Sequence, residues 1–540
     1  MGDLALSLLI MLSLLGIAAL LMSLLRKYRM RHYAIPVRDS SKGHRFHMVD
    51  MFVNTTYCNV DGSRLIHGAQ CDICGICVDD SNMKQANKRI PCRAACIKDQ
   101  SARHHWVQGN LPPYSECLVC GEECGVLKPL ADLRCSWCKA TAHDGCAAKT
   151  EVCDLGRYRR FIVPPNCIEV KWAGVKGTRT RHMEIKHVVH PDIEKWMPLI
   201  VICNRKSGSN EGELLLQSFR DVLNPAQVID INDIRPESAL EWCNLLPDVN
   251  FCLLVCGGDG TIGWVLTAIE KLQLQNPPSM CILPLGTGND LSRVLGWGEG
   301  HAGPVDVTSI FSDVEQSRAV KLDSSLCRFA SSKKLFLMFF FQTYIMNNYL
   351  SVGVDALVTL NFHRQRESWP ALFAHRLINK FCYFTYGTKD VLERECKHLH
   401  KRLKVELDGR ELELPELEGV VVLNIASWGG GCQPWGNAGP TEDGWITPKS
   451  VYDDGILEVM GLFSSFHIAQ LQLGLATPLR LGHASTVKIT LHGGNAPMQV
   501  DGEPWEQHPG SITVTHRGQA AMRALGAAGL KGSSSVTGAS

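Results

Sequence analysis

Residues 4–25 form an apolar run with no charged side chain in it. As a helix rising ~1.5 Å per residue it spans about 33 Å, enough for a hydrocarbon core ~30 Å thick. Arg26, Lys27, Arg29 and Arg31 follow at once, and only Asp3 precedes. A secretory signal carries a basic start and a shorter apolar core of ~7–15 residues. The pattern predicts an uncleaved transmembrane or re-entrant helix over 4–25. The basic flank puts the rest of the chain in the cytosol. The expected location is anchored at the endoplasmic reticulum or plasma membrane.

From Trp196 the pattern changes. Short, wholly apolar runs (PLIVICN, FCLLVCGG, MCILPLG) alternate with amphipathic ones (GELLLQSFRDVL, IGWVLTAIEKL, DLSRVLGW). Buried strands alternating with helices predict an α/β lobe with a parallel sheet over 196–325. From Leu326 the period drops to two, in KVELDGRELEL, GVVVLNIA, GILEVMGLF, TVKITL and SITVTH. That predicts a mainly β lobe over 326–516. The Gly-, Ala- and Ser-rich end, 517–540, reads as a disordered tail.

Composition adds the region between anchor and lobes. The chain holds 23 cysteines, and 13 of them lie from Cys58 to Cys153. Clustered C-x2-C pairs in a long chain read as zinc ligands in a reducing compartment. The net charge of +1 offers no global field for nucleic acid. The cysteine units also lack the C-x2-C…H-x3-H helix pattern and a basic stripe, so no nucleic-acid partner is expected.

Residues 104–153 supply His104, Cys117, Cys120, Cys135, Cys138, His143, Cys146 and Cys153, enough for two closed tetrahedral structural zinc sites. The spacing resembles the protein-kinase-C-type, diacylglycerol-binding zinc finger, whose sites interleave. The resemblance implies one site from His104, Cys135, Cys138 and Cys153, and another from Cys117, Cys120, His143 and Cys146. Cys124 has no place in either. The unit over 44–92 is atypical. His44, Cys71, Cys74 and Cys92 match one interleaved set. The other would fall on Cys58, Asp61, Asp79 and Asn82, and asparagine is a poor zinc ligand. One zinc is expected there.

In the α/β lobe, three polar loops follow three predicted strands: Asn204-Arg205-Lys206-Ser207-Gly208, Gly257-Gly258-Asp259-Gly260-Thr261, and Gly286-Thr287-Gly288-Asn289-Asp290. A strand, a glycine turn and a helix start present bare N–H groups to a phosphate. Ligands sit at such strand ends in open α/β sheets. Gly258-x-Gly260-x-x-Gly263 also matches a dinucleotide fingerprint. That fingerprint wants an acid at the end of the next strand, and MCILPLG has none. No G-x4-G-K-[S/T] occurs, so a P-loop is excluded.

GGDGT, PLGTGNDL and the upstream N-x-x-S-G resemble the diacylglycerol kinase catalytic lobe. MNNY (346–349), SxGxDA (351–356), Asn424 with WGGG (428–431), DDG (453–455) and VDGEPW (500–505) are similar to that family's accessory lobe. The layout is most similar to the family's epsilon type. The resemblance implies phosphorylation of membrane diacylglycerol to phosphatidic acid by ATP, with a preference for arachidonoyl-containing substrate. It also implies Glu503 as one candidate base, with Asp259 as the other or as an organiser of Mg²⁺. Backbone of Gly257, Gly258 and Gly260 would hold the ATP phosphates, with Lys206 and Thr287 as further candidates. Asp355, Asp453 and Asp454 are candidate Mg²⁺ carboxylates, since Mg²⁺ takes oxygen ligands. The competing expectation is a membrane scaffold with lipid-binding zinc fingers and an inactive lobe. The run LFLMFFF, 335–341, departs from the family, which is usually polar there.

Overall fold

In the computed structural model the apolar runs become β1 (Leu199–Cys203), β2 (Cys252–Gly257) and β3 (Ser279–Pro284). Every residue of β1 and β2 is buried, and β3 is buried after Ser279. Burial on both faces explains why these runs do not alternate. Each buried Leu, Ile or Val contributes about 1.5–3 kcal/mol. β2 and β3 pair in parallel, from Cys252 opposite Ser279 to Gly257 opposite Pro284.

The structure describes residues 43–125, 130–174, 182–208, 211–300, 305–331, 341–368, 396–436, 439–440, 446–447 and 449–526. The expected anchor over 4–25 lies outside them, as does nearly all of the apolar run 335–341. Among the described residues no helix is long and apolar enough to cross a membrane. The chain divides into two compact units.

The first unit comprises the residues up to Leu199 together with Leu216–Ile229. It holds two small three-stranded sheets, one of Phe46–Val49, Gly68–Cys71 and Cys77–Val78, the other of Trp106–Gln108, Leu133–Cys135 and Thr141–Ala142. Arg93 joins the parts. Its fully buried guanidinium donates to the carbonyls of Ser136, Arg220, Asp221 and Leu223, and lies 4.2 Å from the centre of the Trp137 ring. Asp72, also buried, accepts from His47 at 2.7 Å and pairs with Arg45 and Arg220. A buried charge persists only when partnered in this way.

The second unit comprises Ile200–Leu215 and the chain from Asp230 onward. After β2 comes helix α1 (Asp259–Leu272), which buries Ile262, Val265, Leu266 and Ala268 as one stripe. Helix α2 (Asp290–Val294) follows β3. Then come β4 (Arg318–Ser331), β5 (Phe341–Met346), β6 (Tyr349–Gly353), helix α3 (Val354–Ser368), β7 (Leu403–Leu407), β8 (Gly419–Leu423) and β9 (Leu457–Leu462). Helix α4 (Ser465–Gln472), β10 (Leu479–Ala484), β11 (Thr486–Leu491), β12 (Ala496–Val500), β13 (Glu503–Gln507) and β14 (Gly510–Ala524) complete it. One sheet runs β1-β2-β3-β14-β11-β7, with β4 paired to β14 and to β5. A second, six-stranded sheet runs β10-β9-β8-β6-β12-β13.

Two boundaries differ from the sequence expectation. The division at 325/326 falls inside β4, whose fourteen residues pair with β14 on both sides of a register shift at Ser324/Ser325. The expected tail, 517–540, begins too early: β14 continues to Ala524 and brings Met522 beside Met280 of β3. Arg517, Gln519 and Arg523 among small residues conceal a strand here, yet Met522 and Ala524 are buried on alternate positions.

Candidate active site and zinc centres

The second and third polar loops meet backbone to backbone. A Cβ on Gly286 would lie 2.7 Å from Gly258 Cα and 2.6 Å from Asn289 Oδ1, and a Cβ on Gly258 would lie 3.0 Å from Gly286 Cα. Only glycine fits either position. Gly258 caps α1, and Thr261 donates its N–H to the Gly258 carbonyl at 2.9 Å while its side chain packs on Gly257. Asn289 takes a left-handed conformation (φ 54°) and donates its amide to Gly286 O and Glu299 O. In the upstream loop, Asn204 Oδ1 accepts from Lys206 N and Asn232 Nδ2, and Ser207 N donates to Asn204 O. Lys206 is exposed, Gly208 has φ 64°, and Thr287 and Gly288 are half-buried. Arg205, which the sequence reading passed over, pairs with Asp230 and Asp233.

Asp259 joins the loops. Its half-buried carboxylate accepts the N–H groups of Asp290 and Leu291, both at 3.2 Å, at the start of α2. Burial and the neighbouring Asp290 charge push it up to about 6. Asp290 is itself buried and accepts from Ser427 Oγ at 2.6 Å and from the N–H groups of Gly430 and Gly431. This residue, expected at a phosphate, clamps the WGGG loop instead. Gly260 lies beside Glu503: a Cβ there would stand 3.9 Å from Glu503 Oε1. Glu503 is exposed, so both candidate bases border the first turn of α1.

Asp501, seen in the sequence only as part of VDGEPW and given no role there, makes a tie of its own. Its carboxylate accepts the N–H groups of Asn347, Asn348 and Tyr349 at 2.7, 2.8 and 3.0 Å. Burial pushes it up to about 6, with the Asp259 charge adding to the shift. The VDGE turn was visible, with Asp501 at φ 49°, but its bonding partners lie some 150 positions away. Asn424 adds a further tie, donating to Asp323 O and Asn347 O and accepting from Ser325 Oγ.

The candidate Mg²⁺ carboxylates do not converge. Asp355 is buried at the start of α3, accepting from Ser351 Oγ and Gln499 Nε2. Asp453 and Asp454 are exposed, and Asp454 accepts the Ile456 N–H in a tight turn. That turn is anchored by Gly455 N–H on buried Asp323.

Glu458, next in β9, is buried, and burial with the Asp454 charge pushes it up to about 8. The native state therefore keeps a proton that the unfolded chain loses near 4.5, and stability falls as pH rises between those values. Glu458→Gln is expected to gain thermal stability relative to the parent as pH rises from 5.5 to 8. Melting curves at the two pH values test this, and a constant difference refutes it.

Three ligand sets converge among the described residues: His44, Cys71, Cys74 and Cys92; His104, Cys135, Cys138 and Cys153; and Cys117, Cys120, His143 and Cys146. In each, all ligand atoms lie within 4.8 Å of one another. Cys71 and Cys92 sulfurs are 3.9 Å apart, Cys135 and Cys153 4.0 Å, and His44 Nδ1 is 3.3 Å from Cys74 Sγ. A tetrahedron with Zn–S of ~2.3 Å has edges of about 3.8 Å, so the sets fit zinc. The outer nitrogens of His44 and His143 face the carbonyls of Ile90 and Glu123, which fixes Nδ1 as the ligand atom. Cys124 lies with Asp132 beside His143. At the degenerate position, Asn82 Nδ2 donates to Asp61 Oδ2 at 2.8 Å and to Cys58 Sγ at 3.5 Å. An N–H donor there occupies the space a cation needs.

Comparison with known proteins bears on this arrangement. Residues 198–322 match the diacylglycerol kinase catalytic domain, 345–504 the diacylglycerol kinase accessory domain, and 104–154 the phorbol esters/diacylglycerol binding (C1) domain. The chain belongs to the diacylglycerol kinase family. It is 34% identical over 519 residues to "Probable diacylglycerol kinase 3" of Caenorhabditis elegans, covering 87% of this chain and 63% of that one. It is 34% identical to human diacylglycerol kinase iota over 527 residues, covering 86% and 48%. The chain thus spans about half to two thirds of the length of these relatives. A diacylglycerol kinase structure from Bacillus anthracis aligns with a TM-score of 0.37 at 16% identity, over 61% of this chain and 97% of that one. In this family member the C1 region holds two of the three zinc-type ligand sets.

Proposed function

We propose that the chain is an ATP-dependent lipid kinase that converts 1,2-diacylglycerol to phosphatidic acid. One observation carries this reading. Asp259 binds the start of α2, Asp290 beside it clamps the 427–431 loop, and Asp501 clamps the MNNY turn. The glycine loops and the accessory motifs are thereby built into one site.

Phosphoryl transfer is mainly positioning and charge stabilisation. Backbone N–H groups at Gly258 and Gly260, with the positive end of α1, suit ATP phosphates. Thr287, Gly288 and the exposed Lys206 border the same strand ends. The lipid hydroxyl oxygen attacks the γ-phosphorus, the bond to the β-phosphate oxygen breaks, and the hydroxyl proton passes to a carboxylate. Exposed Glu503 suits that role better than Asp259, whose oxygens already accept two N–H groups. Mg²⁺ accompanying ATP would neutralise phosphate charge, and Asp453 and Asp454 are its accessible candidates. The 4–25 run anchors the enzyme to the bilayer that holds its substrate, raising local concentration. Arachidonoyl preference and membership of the epsilon type belong to the same proposal, supported by layout.

The test is transfer of ³²P from Mg²⁺-ATP to lipid in mixed micelles, with diacylglycerol, ceramide, sphingosine and soluble NAD in parallel. Label in phosphatidic acid, lost in Gly258→Asp, is expected. No label in any product from zinc-replete, folded protein overturns the reading and leaves the scaffold.

A further inference from the structure

We propose that helix α4 and the turn that ends it form a ridge that docks on the bilayer beside the candidate active site. The proposal rests on the lipid-kinase reading for its purpose, and its geometry stands separately. α4 buries Ser465, His467, Ile468 and Leu471 on its inner face. Exposed apolar side chains stand on its outer side and at both of its ends. Phe463 is 45% exposed, Phe466 60%, Leu473 68% and Leu475 73%. Phe466 and Leu473 are seven positions apart and so share a face of the helix. The helix ends in a Schellman turn: Gly474 is left-handed (φ 68°), with Leu475 N–H on Gln470 O at 2.8 Å and Gly474 N–H on Leu471 O at 3.1 Å. That motif usually packs its last residue on an apolar neighbour at the position held here by Gln470. Leu475 projects outward instead. A cluster of exposed large apolar side chains of this kind marks an interaction surface.

Charge identifies that partner. Residues 459–500 contain no Asp or Glu, although the whole chain has 54 acids in 540 residues. They do contain Arg480 and the exposed His483. An apolar ridge carried on a stretch of chain that has basic side chains and no acidic ones fits a leaflet carrying anionic lipid. Position supplies the purpose. Gln472 Nε2 donates to Gly429 O at 3.3 Å, and Cys432 Sγ lies 3.4 Å from Leu471 O. The loop between them is the one whose Gly430 and Gly431 hold Asp290. Docking α4 would therefore bring the site to the surface in which diacylglycerol resides.

The experiment uses the full chain with phosphatidylcholine vesicles containing phosphatidylserine, diacylglycerol and a diazirine-bearing lipid. After illumination, peptides covering 463–476 are expected to carry lipid adducts. Adducts elsewhere in the chain but none on these peptides overturn the proposal. A second arm compares the parent with Leu473→Ser/Leu475→Ser. The variant should need about tenfold more diacylglycerol in the bilayer for half-maximal rate. Its rate on a short-chain, monomerically soluble diacylglycerol should be unchanged. Equal losses on both substrates refute a docking role. If the parent phosphorylates neither substrate, the kinase reading fails, and the adduct map alone decides for or against the ridge.

Discussion

Asparagine in place of Asp259 is expected to slow phosphate transfer to diacylglycerol by about 10²–10⁴-fold, the usual range for loss of a positioned catalytic carboxylate. The chain should still fold. The carboxylate accepts Asp290 N–H and Leu291 N–H, and asparagine keeps one acceptor oxygen while turning an NH₂ toward the other donor. That mismatch costs about 1–3 kcal/mol. An opposing effect depends on pH. Asp259 sits at about 6 rather than 3.8, so the native state binds more protons than the unfolded chain between those values. Stability falls as pH rises through that window, and asparagine, which does not titrate, removes this part of the fall. The variant should therefore melt well below the parent at pH 4 and closer to it at pH 7. Glu503→Gln is the companion. Glu503 is exposed, so this change should leave melting unaltered at both pH values. As the base, it should still cut the rate by about 10²–10⁴-fold. Initial rates at saturating Mg²⁺-ATP, with melts at pH 4 and 7, separate the roles. A parental rate for Glu503→Gln would pass the proton to Asp259.

The pattern of residues disclosed the parts of this site but not how they are joined. Glycine turns after wholly apolar strands were legible because strand burial and backbone approach are written in adjacent residues. Zinc ligands were legible because ligand chemistry resides in residue type and spacing, and Asn82 was suspect for the same reason. The roles of Asp290 and Asp501 were not. Each carboxylate serves N–H groups some 140 to 150 positions away, and no local periodicity carries that pairing. Nor was the end of β14 legible, since its burial rests on Met522 and Ala524 among small residues. The buried Arg93 was likewise hidden. Its four carbonyl partners form a cup only after two zinc units and the Leu216–Ile229 stretch have come together.

Metal analysis of the purified chain is expected to give three zinc ions per chain, one for each converging ligand set. Cys135→Ser should give two. Structural zinc supplies roughly 10–16 kcal/mol in small finger units, more than a module of this size gains from its own core. The part of the 104–153 module built around His104, Cys135, Cys138 and Cys153 should therefore unfold in the variant, while the Cys117, Cys120, His143 and Cys146 site keeps its zinc. The damage should also spread within the first unit. Cys135 and Cys138 flank Ser136 and Trp137, which hold Arg93 by a carbonyl bond and by ring stacking. Without them Arg93 loses its orientation toward the carbonyls of Arg220, Asp221 and Leu223. Hydrogen exchange should then rise by about tenfold or more over 216–229 as well as over 104–153, since opening costs at least ~1.4 kcal/mol less. Four zinc ions in the parent chain would mean that Cys58, Asp61 and Asp79 bind metal despite the Asn82 donor. Unchanged exchange over 216–229 would mean that Arg93 holds its carbonyls without the zinc module, and that the second finger is a detachable unit.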